Sequence, residues 1–196
     1  LKSTFLNGNL ANKANDGFVL YAATFIITKA DKIMKYSLLM ALLFLALPIQ
    51  AQDSFSIYLV RHAEKQVSKD DPKLSQCGEH RAKQLATILK HTAIKQVYST
   101  PYRRTMATAA PFSQQQQLAI KQYSPAKLEQ FAQQLLQQRE NALVVGHSNT
   151  TPQLAALLSE MPVEDITEKQ YRNLYQIQVS DNGKILTLLT QPLTCH

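Results

Sequence analysis

The stretch from Phe55 to Lys65, FSIYLVRHAEK, constrains the fold more than any other part of the chain. It begins as an apolar run rich in β-branched and aromatic residues, long enough for one strand. It then breaks into Arg61, His62 and Glu64. A buried strand that ends on Arg and His has the form of the ligand-binding edge of an open α/β sheet. The remaining elements are read as what supplies that edge with partners.

Downstream, residues 66–73 are polar and read as a loop. Ser75 is placed to cap a helix, and Gly78 allows close backbone approach in its first turn. Ala82, Leu85, Ala86 and Leu89 recur at i, i+3, i+4 and i+7, one apolar face of an amphipathic helix. His80 and His91, on or near it, read as solvated or packing residues. Gln96 to Ser99 is a short strand. Thr100 and Pro101 open a second helix, which Pro111 is expected to end. The glutamine run at 114–117 carries no chemistry, and Leu118 to Ile120 is a further short strand. Ser124 and Pro125 start a helix reaching about Arg139, with Leu128, Phe131, Leu135 and Leu136 inward. Ala142 to Val145 is a buried strand running into Gly146, His147, Ser148 and Asn149. Thr151 and Pro152 start the next helix, with Leu154, Leu157 and Leu158 inward. Two strands, Leu174–Val179 and Lys184–Leu189, flank a turn at Asp181, Asn182 and Gly183. Strands alternating with helices, then a strand pair, predict a three-layer α/β/α domain with a mostly parallel central sheet.

The first part of the chain has a different character. MKYSLLMALLFLALPIQAQDS, from Met34, has a short basic start, an apolar core from Leu38 to Leu47 and small residues before Gln52. That is the pattern of a secretory signal peptide covering residues 34–51. Its core falls short of the ~20 apolar residues of a membrane span, so no stable span is expected after cleavage. Residues 1–33 then read as a non-native upstream extension, and residues 52–196 as a single domain in the periplasm or outside the cell. Removing residues 1–51 lowers the formal charge from +7 to +4, a balance suited to anionic small molecules. No Arg/Lys run with interleaved aromatics supports a nucleic-acid partner. Export would permit Cys77 and Cys195 to pair; two unpaired thiols are the alternative. Their spacing is not that of metal ligands, and neither a metal nor another cofactor is expected.

Three places load the end of a strand or the start of a helix with cationic or imidazole groups: Arg61–His62, Arg103–Arg104 and His147. Imidazole among guanidinium groups suits a phosphoryl ligand. Arginine offers several planar donors to phosphate oxygens. A neutral imidazole can attack phosphorus and hold the phosphoryl group covalently, and positive neighbours keep it neutral. Gly146-His147-Ser148 lacks the final glycine of a serine-hydrolase elbow, since Thr150 stands there.

RHAEK at 61–65 resembles the RHG signature of the histidine phosphatase superfamily, which also holds the cofactor-dependent phosphoglycerate mutases. LSQCGEHRA at 74–82, YSTPYRRTMATA at 98–109 and VVGHSN at 144–149 resemble its later segments, in the expected order. The resemblance implies a phosphoglycerate mutase-like fold. It implies that His62 becomes phosphohistidine and that Arg61, Arg104 and His147 surround the transferring phosphoryl group. Thr100 takes a position near that pocket, and Thr108 and Ala109 match the motif. Arg103 reads as a solvated or salt-bridging helix residue.

Two departures stand out. Ala63 replaces the glycine after the first histidine. The general acid is not evident: residues 111–126 hold no Asp or Glu, and Ser148 and Asn149 follow the second histidine. Glu64 is the nearest candidate, as proton donor, substrate contact or solvated loop charge; Glu164, Asp165 and Glu168 lie in a loop able to fold over the pocket. The expected activity is hydrolysis of a phosphomonoester, on a sugar phosphate or a phosphorylated envelope component. Two alternatives are a phosphohistidine or acyl-phosphate phosphatase, whose better leaving groups need less acid help, and an inactive phosphate-binding domain. Net mutase activity is not expected, because the short loops leave little room for a lid.

Overall fold

The computed structural model describes Lys35, residues 54–67 and residues 70–193. Contacts divide the chain into residues 1–51 and residues 52–196, and all the elements named here belong to the second unit. The expected signal peptide and upstream extension, Lys35 apart, lie outside the described residues.

The described elements are β1 (Phe55–Arg61), α1 (Gln76–Ile88), β2 (Gln96–Ser99), α2 (Arg103–Gln116), β3 (Ile120–Gln122), α3 (Leu128–Gln138), β4 (Ala142–Gly146), α4 (Thr150–Ser159), β5 (Asn173–Ser180) and β6 (Gly183–Thr190). The six strands form one sheet in the order β3-β2-β4-β1-β5-β6. β4 runs parallel to both β1 and β2, and β2 parallel to β3. β5 and β6 complete the sheet antiparallel. This is the mostly parallel three-layer α/β architecture that the sequence predicts.

The pleat of β1 shows how the layers are made. Ile57 and Leu59 point into a core shared with Phe131 and Leu135 of α3 and Leu154 and Leu158 of α4. Val60 points to the other face, where Leu85 and Leu89 from the α1 segment and Phe112 of α2 close a second core. The chain steps outward from β1 to β2 to β3 and then returns to insert β4. Parallel crossovers are right-handed, so reversing direction moves the following helices to the opposite face.

Ser75 caps α1 by accepting from the Gly78 amide at 3.2 Å. Gly78 has a steric reason to lack a side chain: a Cβ there would lie 2.1 Å from the Glu64 carbonyl oxygen. Three expected boundaries move. Pro111 does not end α2, which runs on to Gln116 and takes in most of the glutamine run. Proline removes only its own N–H and crowds only the backbone of the turn before it, and Phe112 is fully buried just beyond. α3 starts at Leu128 rather than at Ser124, because residues 124–127 form a turn closed by the Lys127 amide on the Ser124 carbonyl at 3.2 Å. β3 likewise begins at Ile120, two residues after the expected start.

Cys77 is disulfide-bonded, and no cysteine among the described residues is free. The chain's other cysteine, Cys195, lies outside the described residues. Among the described residues no helix is long and apolar enough to cross a membrane.

Candidate active site

The strand order decides which side chains meet. β4 lies between β2 and β1, with Val145 opposite Ser99 and Gly146 opposite Arg61. The residues that follow these three strand ends, Thr100, His147 and His62, therefore emerge side by side at the C-terminal edge of the sheet. Ligands of open parallel sheets bind at such an edge. The His62 and His147 rings stand edge-on, 5.6 Å between centroids. They line a cleft of about 520 Å³ together with Arg104, Lys65, Tyr102 and Glu168.

Backbone contacts aim His62. Its amide donates to the Gly146 carbonyl at 2.9 Å, fixing the end of β1 against β4. Its Nδ1 lies 2.8 Å from the Ala63 carbonyl oxygen. A carbonyl only accepts, so Nδ1 carries the proton and the lone pair resides on Nε2. Ala63 is held in turn, its amide donating to Thr108 Oγ1 at 3.0 Å. The methyl that Ala63 adds is fully buried, with Leu74 and Ala82.

His147 is held from both sides. Arg104 Nη2 approaches its Nδ1 at 3.3 Å, and Thr100 Oγ1 lies 2.9 Å from its Nε2. A guanidinium only donates, so Nδ1 accepts and Nε2 carries the hydrogen. Thr100 then receives that hydrogen and passes its own to Thr105 Oγ1 at 2.9 Å. The His147 amide also donates to Thr150 Oγ1 at 3.0 Å. Thr100 thus orients a ring of the site.

Both imidazoles are neutral at ordinary pH. Burial pushes His62 down to about 3, with Arg61, Arg104 and His147 adding to the effect against the opposing Ala63 hydrogen bond. Burial, then Arg104 and Arg61, pushes His147 down to about 4. A neutral ring with a free Nε2 lone pair is what nucleophilic attack on phosphorus needs.

The cations are fixed by aromatic and acidic neighbours. Arg61 lies over the Tyr171 ring at 4.2 Å and Arg104 over Tyr102 at 4.7 Å. Arg61 donates to the Thr167 carbonyl at 3.0 Å and to Glu168 Oε2 at 2.7 Å. Arg104 pairs with Asp71 at 3.4 Å, and the same carboxylate accepts from the Arg103 amide at 3.1 Å, capping α2. The Nε atoms of Arg61 and Arg104 are buried without a hydrogen-bond partner. An oxyanion offers acceptors of the kind such donors lack.

Of the residues singled out in the sequence, His62, Arg61, Arg104, His147 and Thr100 come together here. Glu64 is placed elsewhere. Its carboxylate takes three hydrogen bonds from Arg81, at 2.5, 2.8 and 3.0 Å, and does not line the cleft. Arg81 sits on the helix face that buries Ala82 and Leu85, and a buried guanidinium requires an anion. Of the three loop acids, Glu168 lines the cleft and also accepts from Ser148 Oγ. Ser148 and Arg61 hold its carboxyl below the usual range against a smaller opposing effect of burial. Tyr171 and Asp71 carried no pattern in the sequence; their neighbours in space are remote along the chain. Among the described residues, no group of three or more His, Cys, Asp or Glu could hold a metal ion.

A sequence model of the histidine phosphatase superfamily (branch 1) matches residues 57–127. Solved structures repeat the fold. A mycobacterial glucosyl-3-phosphoglycerate phosphatase superposes with a TM-score of 0.58 at 12% identity, covering 72% of this chain and 100% of its own. A putative alpha-ribazole-5'-P phosphatase from Escherichia coli gives 0.58 at 19% identity, covering 69% of this chain and 96% of its own. The sequence match covers residues 57–127 alone, and the solved structures add the shared fold. The protein histidine phosphatase SixA, solved with tungstate, gives 0.58 at 15% identity, covering 70% of this chain and 97% of its own. These structures carry three different activities on one fold, and identities this low show the fold alone. No curated protein matches the chain.

Proposed function

We propose that this chain is a phosphatase that cleaves a phosphomonoester through a phosphohistidine on His62. The observation that carries the reading is the aimed imidazole: Nδ1 is committed to the Ala63 carbonyl, so Nε2 bears the lone pair inside a cleft shared with Arg104. In the first step Nε2 attacks phosphorus in line and the leaving oxygen departs. Arg61 and Arg104 stabilise the charge on the equatorial oxygens. In the second step water attacks the phosphohistidine, returning the electron pair to Nε2 and releasing phosphate. Every role in this reading falls to a side chain, and no metal takes part.

The substrate we propose is a small sugar phosphate or a phosphorylated envelope component. Tyr102, Pro125 and Ala126 line the cleft and suit the face of a sugar-like leaving group, and Lys65 and Asn149 can meet its hydroxyl or acidic groups. The proposed compartment is the periplasm or the cell exterior, supported by the leader-like sequence at 34–51. The mass of the chain recovered from that compartment tests the cleavage.

The activity test is a panel of sugar phosphates, nucleotides, acyl phosphates and phosphohistidine peptides, run with the full chain and with His62→Ala. Turnover of at least one substrate, abolished by His62→Ala, is the expected result. Radiolabel trapped on a residue other than His62 would sink the mechanism. Binding of phosphate without turnover of any panel member would identify a binding domain instead.

A further inference from the structure

We propose that Glu168 is the acid–base residue of this site, giving a proton to the leaving oxygen when His62 is phosphorylated and taking one from water when the phosphoenzyme is hydrolysed. The inference rests on the phosphatase reading above and adds to it the group that moves the proton.

Among the described residues lining the cleft, Glu168 alone is a carboxylic acid. Glu64 is committed to Arg81, and residues 111–126 hold no acid. Glu168 reaches the site from the loop between α4 and β5. Its Oε2 accepts from Arg61 at 2.7 Å and its Oε1 from Ser148. The adjacent Thr167 carbonyl accepts from the same guanidinium at 3.0 Å, which docks the loop on the residue preceding the nucleophile. The Glu168 side chain is 69% exposed while that of Arg61 is 1% exposed. The carboxyl therefore stands at the mouth of the cleft, between the buried phosphoryl-binding donors and solvent. A leaving group and an incoming water both occupy that side when phosphorus is attacked in line from below.

The partners of Glu168 also supply a means of switching. Without substrate, Ser148 and Arg61 favour the ionised carboxylate. A phosphoryl dianion competes for Arg61 and brings negative charge beside the carboxylate, and both effects favour a proton on Glu168. The protons balance over the cycle. As the P–O bond breaks and the P–Nε2 bond forms, protonated Glu168 gives its proton to the leaving oxygen. As water forms the new P–O bond and the P–Nε2 pair returns to His62, the Glu168 carboxylate takes the water proton. Nδ1 keeps its hydrogen on the Ala63 carbonyl throughout.

The test compares two leaving groups in rapid-quench experiments on the full chain and Glu168→Gln. p-Nitrophenyl phosphate releases a stable anion that needs no acid, whereas glycerol phosphate releases an alkoxide that does. With p-nitrophenyl phosphate, Glu168→Gln should give a burst of about one nitrophenolate per site. Steady turnover should then be slower by roughly 10²–10³, with labelled phosphate accumulating on His62. With glycerol phosphate the phosphorylation step itself should slow by a similar factor. Equal slowing of phosphorylation with both substrates, without accumulation, would overturn the proposal in favour of a residue that only positions Arg61. Unchanged rates would overturn it too. Absence of phosphohistidine in the unsubstituted chain would overturn the phosphatase reading and this inference with it. If Glu168→Gln does not fold, Glu168→Asp makes the same comparison: it keeps a charge for Arg61 and withdraws the carboxyl by one methylene.

Discussion

Replacing Arg81 by methionine tests whether the Glu64–Arg81 pair is structural. Arg81 is 3% exposed and Glu64 16%. Arg81 gives three hydrogen bonds to that carboxylate and a fourth to the Leu193 carbonyl at 3.1 Å. Arg81→Met keeps most of the stem packing and leaves Glu64 charged, largely buried and without its cation. Removing one partner of a buried pair costs about 3–5 kcal/mol. Partial solvation of Glu64 places this case near the lower end, about 3 kcal/mol. For a domain of this size that corresponds to a fall in Tm of roughly 10 °C. The double variant Arg81→Met/Glu64→Leu removes the stranded charge and should recover most of the loss, leaving a coupling energy of about 2 kcal/mol. Urea unfolding of the four proteins measures it through the shift in midpoint at constant slope. Phosphoenzyme formation on His62, measured in folded Glu64→Gln, should stay within about threefold of the parent, since ~0.6 kcal/mol corresponds to about that factor. The reasoning fails if Glu64→Gln leaves stability untouched and abolishes phosphoenzyme formation, because Glu64 would then act in the chemistry.

The two depressed imidazoles set a pH dependence. Attack needs neutral His62, whose pKa lies at about 3, so the acid limb of kcat/KM assignable to His62 should fall well below pH 5 rather than near 6.5. For stability the sign is fixed by the unfolded chain, which binds more protons than the folded one once pH drops below about 6.5. The contribution of His62 and His147 is therefore fully present above that pH and is lost as pH falls toward about 3 and 4; urea midpoints of the parent, His62→Ala and His147→Ala between pH 7 and 5 measure it. Thr108→Val removes the acceptor of the Ala63 amide, which Thr108 holds at 3.0 Å. Leaving that amide unpaired should cost about 1–3 kcal/mol by urea unfolding and slow phosphorylation of His62 in the same rapid-quench assay.

The fold was legible because its elements repeat a pattern. Ala82, Leu85, Ala86 and Leu89 share one helical face, and all four are buried. The β1 run and the cap at Ser75 are likewise local signals. What the sequence hid depends on remote partners. Pro111 reads as a helix stop because its own chemistry argues for one, yet buried Phe112 carries the helix past it. Pro125 reads as a helix start, but residues 124–127 make a turn whose Pro125 and Ala126 line the cleft. Glu64 stands beside the nucleophile in sequence and reads as part of its site, yet the buried Arg81 seventeen positions on claims its carboxylate. Glu168, more than a hundred positions from His62, reaches the cleft through Arg61 and Ser148. Cationic and imidazole residues at strand ends were readable because the strands themselves carry them to one edge. The carboxylates arrive on loops, whose course periodicity does not describe.

The position of β4 has a consequence for how the chain acquires activity. β1 and β2 are not neighbours; β4, formed by residues 142–146, must enter between them. The stretch matched by the family model, residues 57–127, ends before β4. A nascent chain that has emerged only that far holds the nucleophile but cannot join its first two strands, and has neither His147 nor the Gly146 carbonyl that fixes the His62 amide. Closing that gap requires contacts distant in sequence, which form slowly. Competence to form phosphohistidine would thus appear only after the centre of the sheet has been filled, and would report completed folding in a refolding time course.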